Sequence, residues 1–266
     1  MTLPMKPFKI DVDRSLLDDL QARLATTRWA TALPDTAWSY GTDDRYLRDL
    51  VSYWQQGYDW RKEEAALNQW SHFLADVDGT QVHFIHERGK GPNPTPLLLL
   101  HGWPDSFYRM MKIIPMLTDP EAYGGDPADS FDVIVPSLPG FGFSDQPRTR
   151  GWSAVESAAL LTRLMTEGLG YSRFAVHGGD TGSPLAQLIA LTTPDHVTAL
   201  HLTDIGWHAT GNLDPATLSK AEQEYMGQME YFSYTESAYV MIQGTKPQTL
   251  AYGLNDSPVG LASWIL

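Results

Sequence analysis

The residues best placed to do chemistry lie in Val176-His177-Gly178-Gly179-Asp180-Thr181-Gly182-Ser183. A β-rich apolar run, Phe174-Ala175-Val176, meets a glycine-flanked carboxylate and passes at once into a helical pattern with Leu185, Leu188 and Ile189 on one face. The spacing predicts a strand, a sharp turn and a helix. Small residues two before and two after Asp180 permit the strained turn of a nucleophile elbow, which lifts the central side chain clear at the strand's C-terminal end. A serine there needs a base before it attacks, whereas an aspartate, with a reference pKa of about 3.9, is already an anion at neutral pH. Attack on an sp3 carbon is the chemistry that suits it. On this octapeptide alone, a carboxylate that merely caps the helix after a glycine-rich turn fits equally well.

A second stretch, Leu97-Leu98-Leu99-Leu100-His101-Gly102-Trp103-Pro104, is a buried-strand run that ends in His-Gly. Such a turn exposes a backbone N–H, that of Trp103, beside the elbow, and with the N–H of Thr181 it makes a two-donor oxyanion hole. Phe107, Phe141 and Phe143, with Trp103, predict an apolar substrate pocket, to which His101 and Pro104 on the same turn are assigned.

The elements that must hold these turns read as alternating strands and helices. Phe73 to Val77 and Gln81 to His86 are separated by Asp78-Gly79, a strong hairpin signal, which predicts an antiparallel pair at the sheet's edge. His83 and His86, three residues apart, fall on opposite faces of their strand and cannot serve one metal; no metal or cofactor site is expected. Helices are expected over 106–117 and from a Ser153 cap to Leu169, and strands over Asp132 to Pro136 and Val197 to Asp204. The loop Pro139-Gly140-Phe141-Gly142-Phe143-Ser144 lacks the Lys-Ser/Thr ending of a phosphate loop and reads as a shaped pocket rim. A repeated β-α-β pattern means a mostly parallel sheet with ligands at the strands' carboxyl ends, where His101, Asp180 and Asp204 lie. Residues 1–70 are helical and hold five tryptophans between Trp29 and Trp70, an apolar meander expected to pack on the main domain. From Ile205 the pattern turns helical again, with Asp214-Pro215 as a cap and first-turn proline.

Composition narrows the classes. With 266 residues, 42% of them hydrophobic, the chain can bury one substantial core with an added piece. A net charge of −13 disfavours nucleic acid or an anionic membrane as partner, because phosphate surfaces recruit Lys and Arg. Small neutral substrates fit better. The absence of cysteine excludes disulfides and thiolate chemistry. Met1 to Lys9 lacks a signal-peptide run and no stretch approaches the roughly 18 apolar residues of a membrane span, so a cytoplasmic location is the default expectation.

Several motifs in order, Pro7-Phe8-Lys9-Ile10, Thr27-Arg28-Trp29, Gly57-Tyr58-Asp59-Trp60-Arg61, His101-Gly102-Trp103-Pro104, Pro139 to Ser144, Gly178-Gly179-Asp180 and Leu254-Asn255-Asp256-Ser257-Pro258, carry a resemblance. The chain resembles the microsomal-type epoxide hydrolases of the α/β-hydrolase fold, N-terminal region included. The resemblance implies an α/β class with an antiparallel N-terminal edge, a helical meander over 1–70, a hydrolase core over 71–204 and an incomplete helical lid over 205–266. It implies that Asp180 opens a small apolar epoxide to a covalent ester, which water hydrolyses to a vicinal diol without cofactor or metal. Glu236-Ser237-Ala238-Tyr239 corresponds to the segment that supplies one of two lid tyrosines, which assigns hydrogen bonding of the epoxide oxygen to Tyr239. In the family the second tyrosine, the acid and the general-base histidine come later than Leu266, so a C-terminal truncation is expected, with Asp204 as alternative acid and His208 as substitute base. Microsomal relatives carry a membrane anchor, and none is seen here.

Thr181 departs from the tryptophan that many relatives place after the nucleophile. Because the hole uses backbone N–H, the change is expected to alter pocket shape alone. Haloalkane dehalogenases share the Asp elbow but use that tryptophan to hold the halide, so Thr181 favours the epoxide. A reading from another class also stands: a catalytically incomplete fragment or binding module. Oligomeric state is left open.

Overall fold

The computed structural model describes residues 3–205 and 217–266. His208 and the Asp214-Pro215 cap lie outside the described residues. The strands are β1 (Met5–Pro7), β2 (His72–Val77), β3 (Thr80–Glu87), β4 (Thr95–Leu100), β5 (Phe131–Pro136), β6 (Phe174–Gly178) and β7 (Val197–Leu202). Among the described residues they form a seven-stranded sheet in the order β1-β2-β3-β5-β4-β6-β7. The β5-β4-β6-β7 half is parallel, with Leu98 opposite both Ile134 and Val176. The β1-β2-β3 half is antiparallel and joins the rest where Phe84 pairs with Pro136.

The hairpin forms at Asp78-Gly79, both residues at positive φ, 53° and 78°, as a tight turn matched to strand twist requires. It is not the edge. β1 adds outside it, with Met5 opposite Ala75 and Pro7 opposite Phe73. Proline is tolerated there because an outermost strand leaves one side unpaired.

The buried layer along the sheet holds Val82, Phe84, Leu98, Leu100, Ile134 and Val176, capped by helices α5 (Ala154–Arg163) and α6 (Gly182–Thr192) through Leu160, Leu161, Leu185 and Ile189. α5 starts at Ser153 with a complete capping box to Glu156, and the expected helix to Leu169 finishes as one π-helical turn over Leu164–Gly168. The single helix expected over 106–117 is instead a 3-10 turn, Phe107–Met110, followed by α4 (Ile114–Thr118). Pro115 is the reason, because it has no N–H to continue the ladder and is at home only in a first turn.

The chain divides into two compact units, Met1–Ile10 with Glu63–Ala209 and Asp11–Lys62 with Thr210–Leu266. The first contains the sheet. The second is helical, with α1 (Arg14–Ala25), α2 (Asp44–Gln56), α7 (Lys220–Thr235), α8 (Ala238–Thr245), α9 (Pro247–Asp256) and α10 (Pro258–Ile265); α3 (Trp60–Leu67) crosses the boundary. Among its described residues Leu24, Leu47, Val51 and Val259 form a buried apolar cluster, with Trp29 and Trp54 packed against it. Polar bonds join its two sequence segments, from Arg23 Nη1 to the Asp256 carbonyl at 2.7 Å and from Thr42 Oγ1 to the Ser263 carbonyl at 2.6 Å.

Candidate active site

Asp180 stands between the last residue of β6 and the first turn of α6, with φ at +53°. For a residue with a Cβ this left-handed conformation costs about 1–2 kcal/mol, so it persists only where its surroundings enforce it. The glycines supply the room. A Cβ on Gly182 would meet the Leu100 and His101 carbonyl oxygens at 2.5 and 2.7 Å, and one on Gly178 would strike the backbone of Gly182. The helix start is thus pressed against the ends of β4 and β6, which turns the Asp180 side chain outward. A Cβ on Gly102 would fall on the Asp180 carboxylate itself, so the His-Gly turn lies directly against it.

Both expected amides reach the carboxylate. Trp103 N–H donates to Asp180 Oδ1 at 2.9 Å and Thr181 N–H donates to the same oxygen at 2.6 Å. The Thr181 hydroxyl adds a third bond to Oδ1 at 3.0 Å. Among the described residues Oδ2 receives no hydrogen bond. One carboxylate oxygen therefore sits in a cradle of donors while the other points away from them. The capping interpretation of Asp180 does not describe this geometry, since its side chain accepts from its neighbour Thr181 and from a loop 77 residues away in sequence.

Asp204 lies two residues beyond the end of β7. Its Oδ2 accepts from Asp180's own N–H at 2.7 Å, and its carbonyl accepts from the Ser183 hydroxyl. Nothing in the sequence signalled this contact beyond the position of Asp204 at a strand end.

The remaining site residues fall into a wall and its support. His101 is 1% exposed and both ring nitrogens are committed: Nδ1 lies 2.9 Å from the Gly102 carbonyl and Nε2 accepts from Leu138 N–H at 3.1 Å. Those partners fix a neutral ring with the proton on Nδ1, and burial lowers its pKa in the same direction. Phe141 packs edge-on against it at 5.1 Å. Phe107 and Phe143 pack on each other and on His83, and Phe143 also meets Phe8. Pro104 is exposed beside Trp103.

Under that wall runs a buried polar chain that sequence reading missed. His72 Nε2 lies 2.8 Å from the Leu67 carbonyl, His72 Nδ1 lies 2.9 Å from His83 Nε2, and His83 Nδ1 lies 2.8 Å from Ser137 Oγ. A carbonyl accepts only, so His72 must donate from Nε2, receive at Nδ1 from His83, and leave His83 Nδ1 to receive from Ser137. Both rings are neutral in that arrangement, and burial pushes His83 down to about 3. His86, on the other face of β3, is pushed down to about 4 by burial and meets the Tyr171 hydroxyl at 3.1 Å. His177 and His201 pair across β6 and β7 through Nδ1 atoms 2.8 Å apart, as strand residues in register.

Tyr239 belongs to the helical unit, as the second residue of α8, and is half-buried. Tyr231, Tyr234 and Tyr252 are much more open, at 69%, 85% and 73% exposure.

A sheet that is parallel in its C-terminal half, helices packed on it, and a sharp strand-turn-helix at the end of a central strand together define the architecture of an α/β-hydrolase. Residues 95–240 match the alpha/beta hydrolase fold family, and the chain belongs to that family. Residues 5–110 match the epoxide hydrolase N terminus. A putative epoxide hydrolase of Stigmatella aurantiaca is 42% identical over 97% of this chain and 58% of its own length. Epoxide hydrolase 1 of Sus scrofa is 37% identical over 98% of this chain and 61% of its own. The chain thus spans about three fifths of the length of these curated relatives. The structure of Aspergillus niger epoxide hydrolase superposes with a TM-score of 0.87 at 29% identity, covering 99% of this chain and 69% of that one. The juvenile hormone epoxide hydrolase of Bombyx mori superposes with a TM-score of 0.81 at 32% identity, covering 99% and 62%. Among the described residues no helix is long and apolar enough to cross a membrane.

Proposed function

We propose that this chain carries the epoxide-opening machinery of an epoxide hydrolase, with Asp180 as nucleophile. The observation that carries the reading is the convergence of Trp103 N–H and Thr181 N–H on one oxygen of a carboxylate held at positive φ. Oδ2 attacks an oxirane carbon, a C–O bond forms, and the ring C–O bond breaks. The departing oxygen takes a proton from Tyr239, the one of the lid-like segment's five tyrosines that the family resemblance assigns to this role. Oδ1 becomes the carbonyl oxygen of the ester. When water adds to that carbonyl, negative charge grows on Oδ1, where the two amides already point. The diol leaves with Oδ2 and the water oxygen takes its place in the carboxylate. His101, Pro104, Phe107, Phe141 and Phe143 make the apolar wall for a small epoxide, and residues from Ile205 onward serve as lid.

The second step needs a base to activate water, worth about 10²–10⁴-fold. Among the described residues no histidine nitrogen bonds to Asp180, and His101 has both nitrogens in use. Ester formation is therefore the step assigned to this chain's own residues. Incubation with a reactive aryl epoxide is expected to add one mass equivalent per chain, located on Asp180 by peptide mapping and absent at early times in Asp180→Asn. A folded wild-type chain that acquires no adduct overturns the proposal.

A further inference from the structure

Asp180 makes two demands on its surroundings: its carboxylate must meet the oxyanion amides, and its own N–H must find an acceptor. In the left-handed conformation that amide lies outside the hydrogen bonding of α6, whose first bonds run from Gly182 N to the Gly179 carbonyl and from Ser183 N to the Asp180 carbonyl, both at 2.9 Å. An amide so placed needs an acceptor from elsewhere in the chain. That acceptor is Asp204 Oδ2, at 2.7 Å. The loop that carries it is tied to the elbow at three further points: Thr203 N–H donates to the Gly178 carbonyl at 3.2 Å, the Ser183 hydroxyl donates to the Asp204 carbonyl, and Gln187 Nε2 reaches the Ile205 carbonyl at 3.4 Å. A Cβ on Gly179 would strike Thr203 Oγ1, so the β7 loop lies directly against the turn.

We infer that Asp204 is a positioning residue that clamps the nucleophile's backbone, and not an acid that orients a general base. This rests on the assignment of Asp180 as nucleophile. An orienting acid offers its carboxylate to a histidine N–H, and among the described residues no histidine nitrogen bonds to Asp204. Oδ2, one of its two carboxylate oxygens, is held by the main chain of the residue it serves. The clamp fixes the turn, and the turn fixes where Oδ2 points, so its loss acts on ester formation.

The two roles separate in one pair of variants. Asp204→Asn keeps a side-chain oxygen acceptor and removes the charge; Asp204→Ala removes both. With the aryl epoxide at saturation, Asp204→Ala is expected to slow adduct formation by about 10²-fold with little change in the half-saturating concentration, because misplacing a reacting group costs on that order. Asp204→Asn is expected to stay within about threefold of wild type, rescuing the geometry. An orienting acid predicts the reverse, adduct formation untouched in both variants, and that result overturns the clamp, as does an equal loss in both. Amide exchange at Asp180, read by NMR, needs no chemistry: it is expected to accelerate about tenfold in Asp204→Ala and to stay protected in Asp204→Asn. If wild type forms no adduct, the nucleophile assignment fails while exchange still decides the clamp. Should Asp204→Ala not fold, Ser183→Ala takes its place, since it frees the Asp204 carbonyl; faster exchange at Asp180 supports the clamp and unchanged exchange overturns it.

Discussion

Asp180 is held by contacts on every part of it: two amides and the Thr181 hydroxyl on Oδ1, the Asp204 carboxylate on its own N–H, and glycines that let the ends of β4 and β6 close on the turn. Tyr239 stands on an eight-residue helix in a unit where α7, α8 and α9 bury no residue. The first arrangement leaves no freedom in the position of the reactive atom, and it tolerates no added atom. The second carries its hydroxyl on a helix with no buried residue. The difference teaches that the two partners in the proposed reaction respond to mutation in different currencies, one through the fold and the other through rate.

The hardest test of that contrast is Gly182→Ala. Its methyl would meet two backbone carbonyl oxygens, at 2.5 and 2.7 Å, which cannot rotate aside. We expect a loss of at least about 3 kcal/mol, read by denaturant unfolding, as for other strongly overpacked sites. The helical counterpart, Gly244→Ala, has nothing within 4 Å of the new methyl. It should leave stability unchanged or raise it by about 1 kcal/mol, since alanine is the better helix former. Similar losses in both variants would break the contrast.

Acid should divide the two units as well. Outside the sheet-bearing unit, neither 11–62 nor 210–266 contains a histidine. Burial lowers the pKa of His72, His83, His86 and His101, to about 3 for His83 and about 4 for His86. A histidine whose folded pKa is depressed binds its proton more readily when unfolded. Its contribution is whole above the ordinary value of 6.5 and is lost as pH falls from there toward about 3 for His83. The loss is about 1.4 kcal/mol per pH unit for each such ring. Hydrogen exchange at pH 7 and pH 5, corrected for intrinsic rates, is expected to show loosening in peptides covering β2, β3 and β5 before those covering α1 and α2. Uniform loosening would sink the assignment.

Rate should register at Tyr239. Tyr239→Phe is expected to slow adduct formation by about 10²-fold, the lower end of what a positioned acid supplies. Tyr252→Phe, at a site 73% exposed, is the control and should leave the rate unchanged. Equal effects of the two would remove Tyr239 from its role.

What was legible in the sequence follows the same line. The elbow, the His-Gly turn and the hairpin could be read because each depends on glycine at a fixed offset, and glycine's role is a backbone matter. The parallel pairing of Leu97 to Leu100 with Phe174 to Gly178 follows from two apolar runs joined through helices. β1 escaped notice because three residues ending in proline carry no alternation. The break ahead of α4 is marked in the sequence by Pro115 alone. The Asp204 bond and the His72-His83-Ser137 chain join residues from separate strands and loops, and no local pattern marks such a meeting.

Thr181 offers the smallest and most exact probe of the elbow. A side chain after the nucleophile was expected to leave the oxyanion hole untouched, yet its hydroxyl bonds Oδ1 at 3.0 Å beside its own amide at 2.6 Å. In the resting carboxylate that hydroxyl stabilises the charge that must be spent in attack; in the tetrahedral intermediate it stabilises the charge that returns. The two effects oppose each other across the reaction. Thr181→Val keeps shape and amide while removing the O–H, so adduct formation is expected to rise slightly or stay within about threefold, a net hydrogen bond being worth about 0.5–1.5 kcal/mol. Thr181→Ser retains the hydroxyl and should match wild type. Burst measurements of adduct mass against time, at matched epoxide concentration, resolve a threefold change. A tenfold slowing of adduct formation in Thr181→Val alone would instead make the hydroxyl a positioning contact that holds the carboxylate for attack, and the elbow would then depend on a side chain beside its main-chain donors.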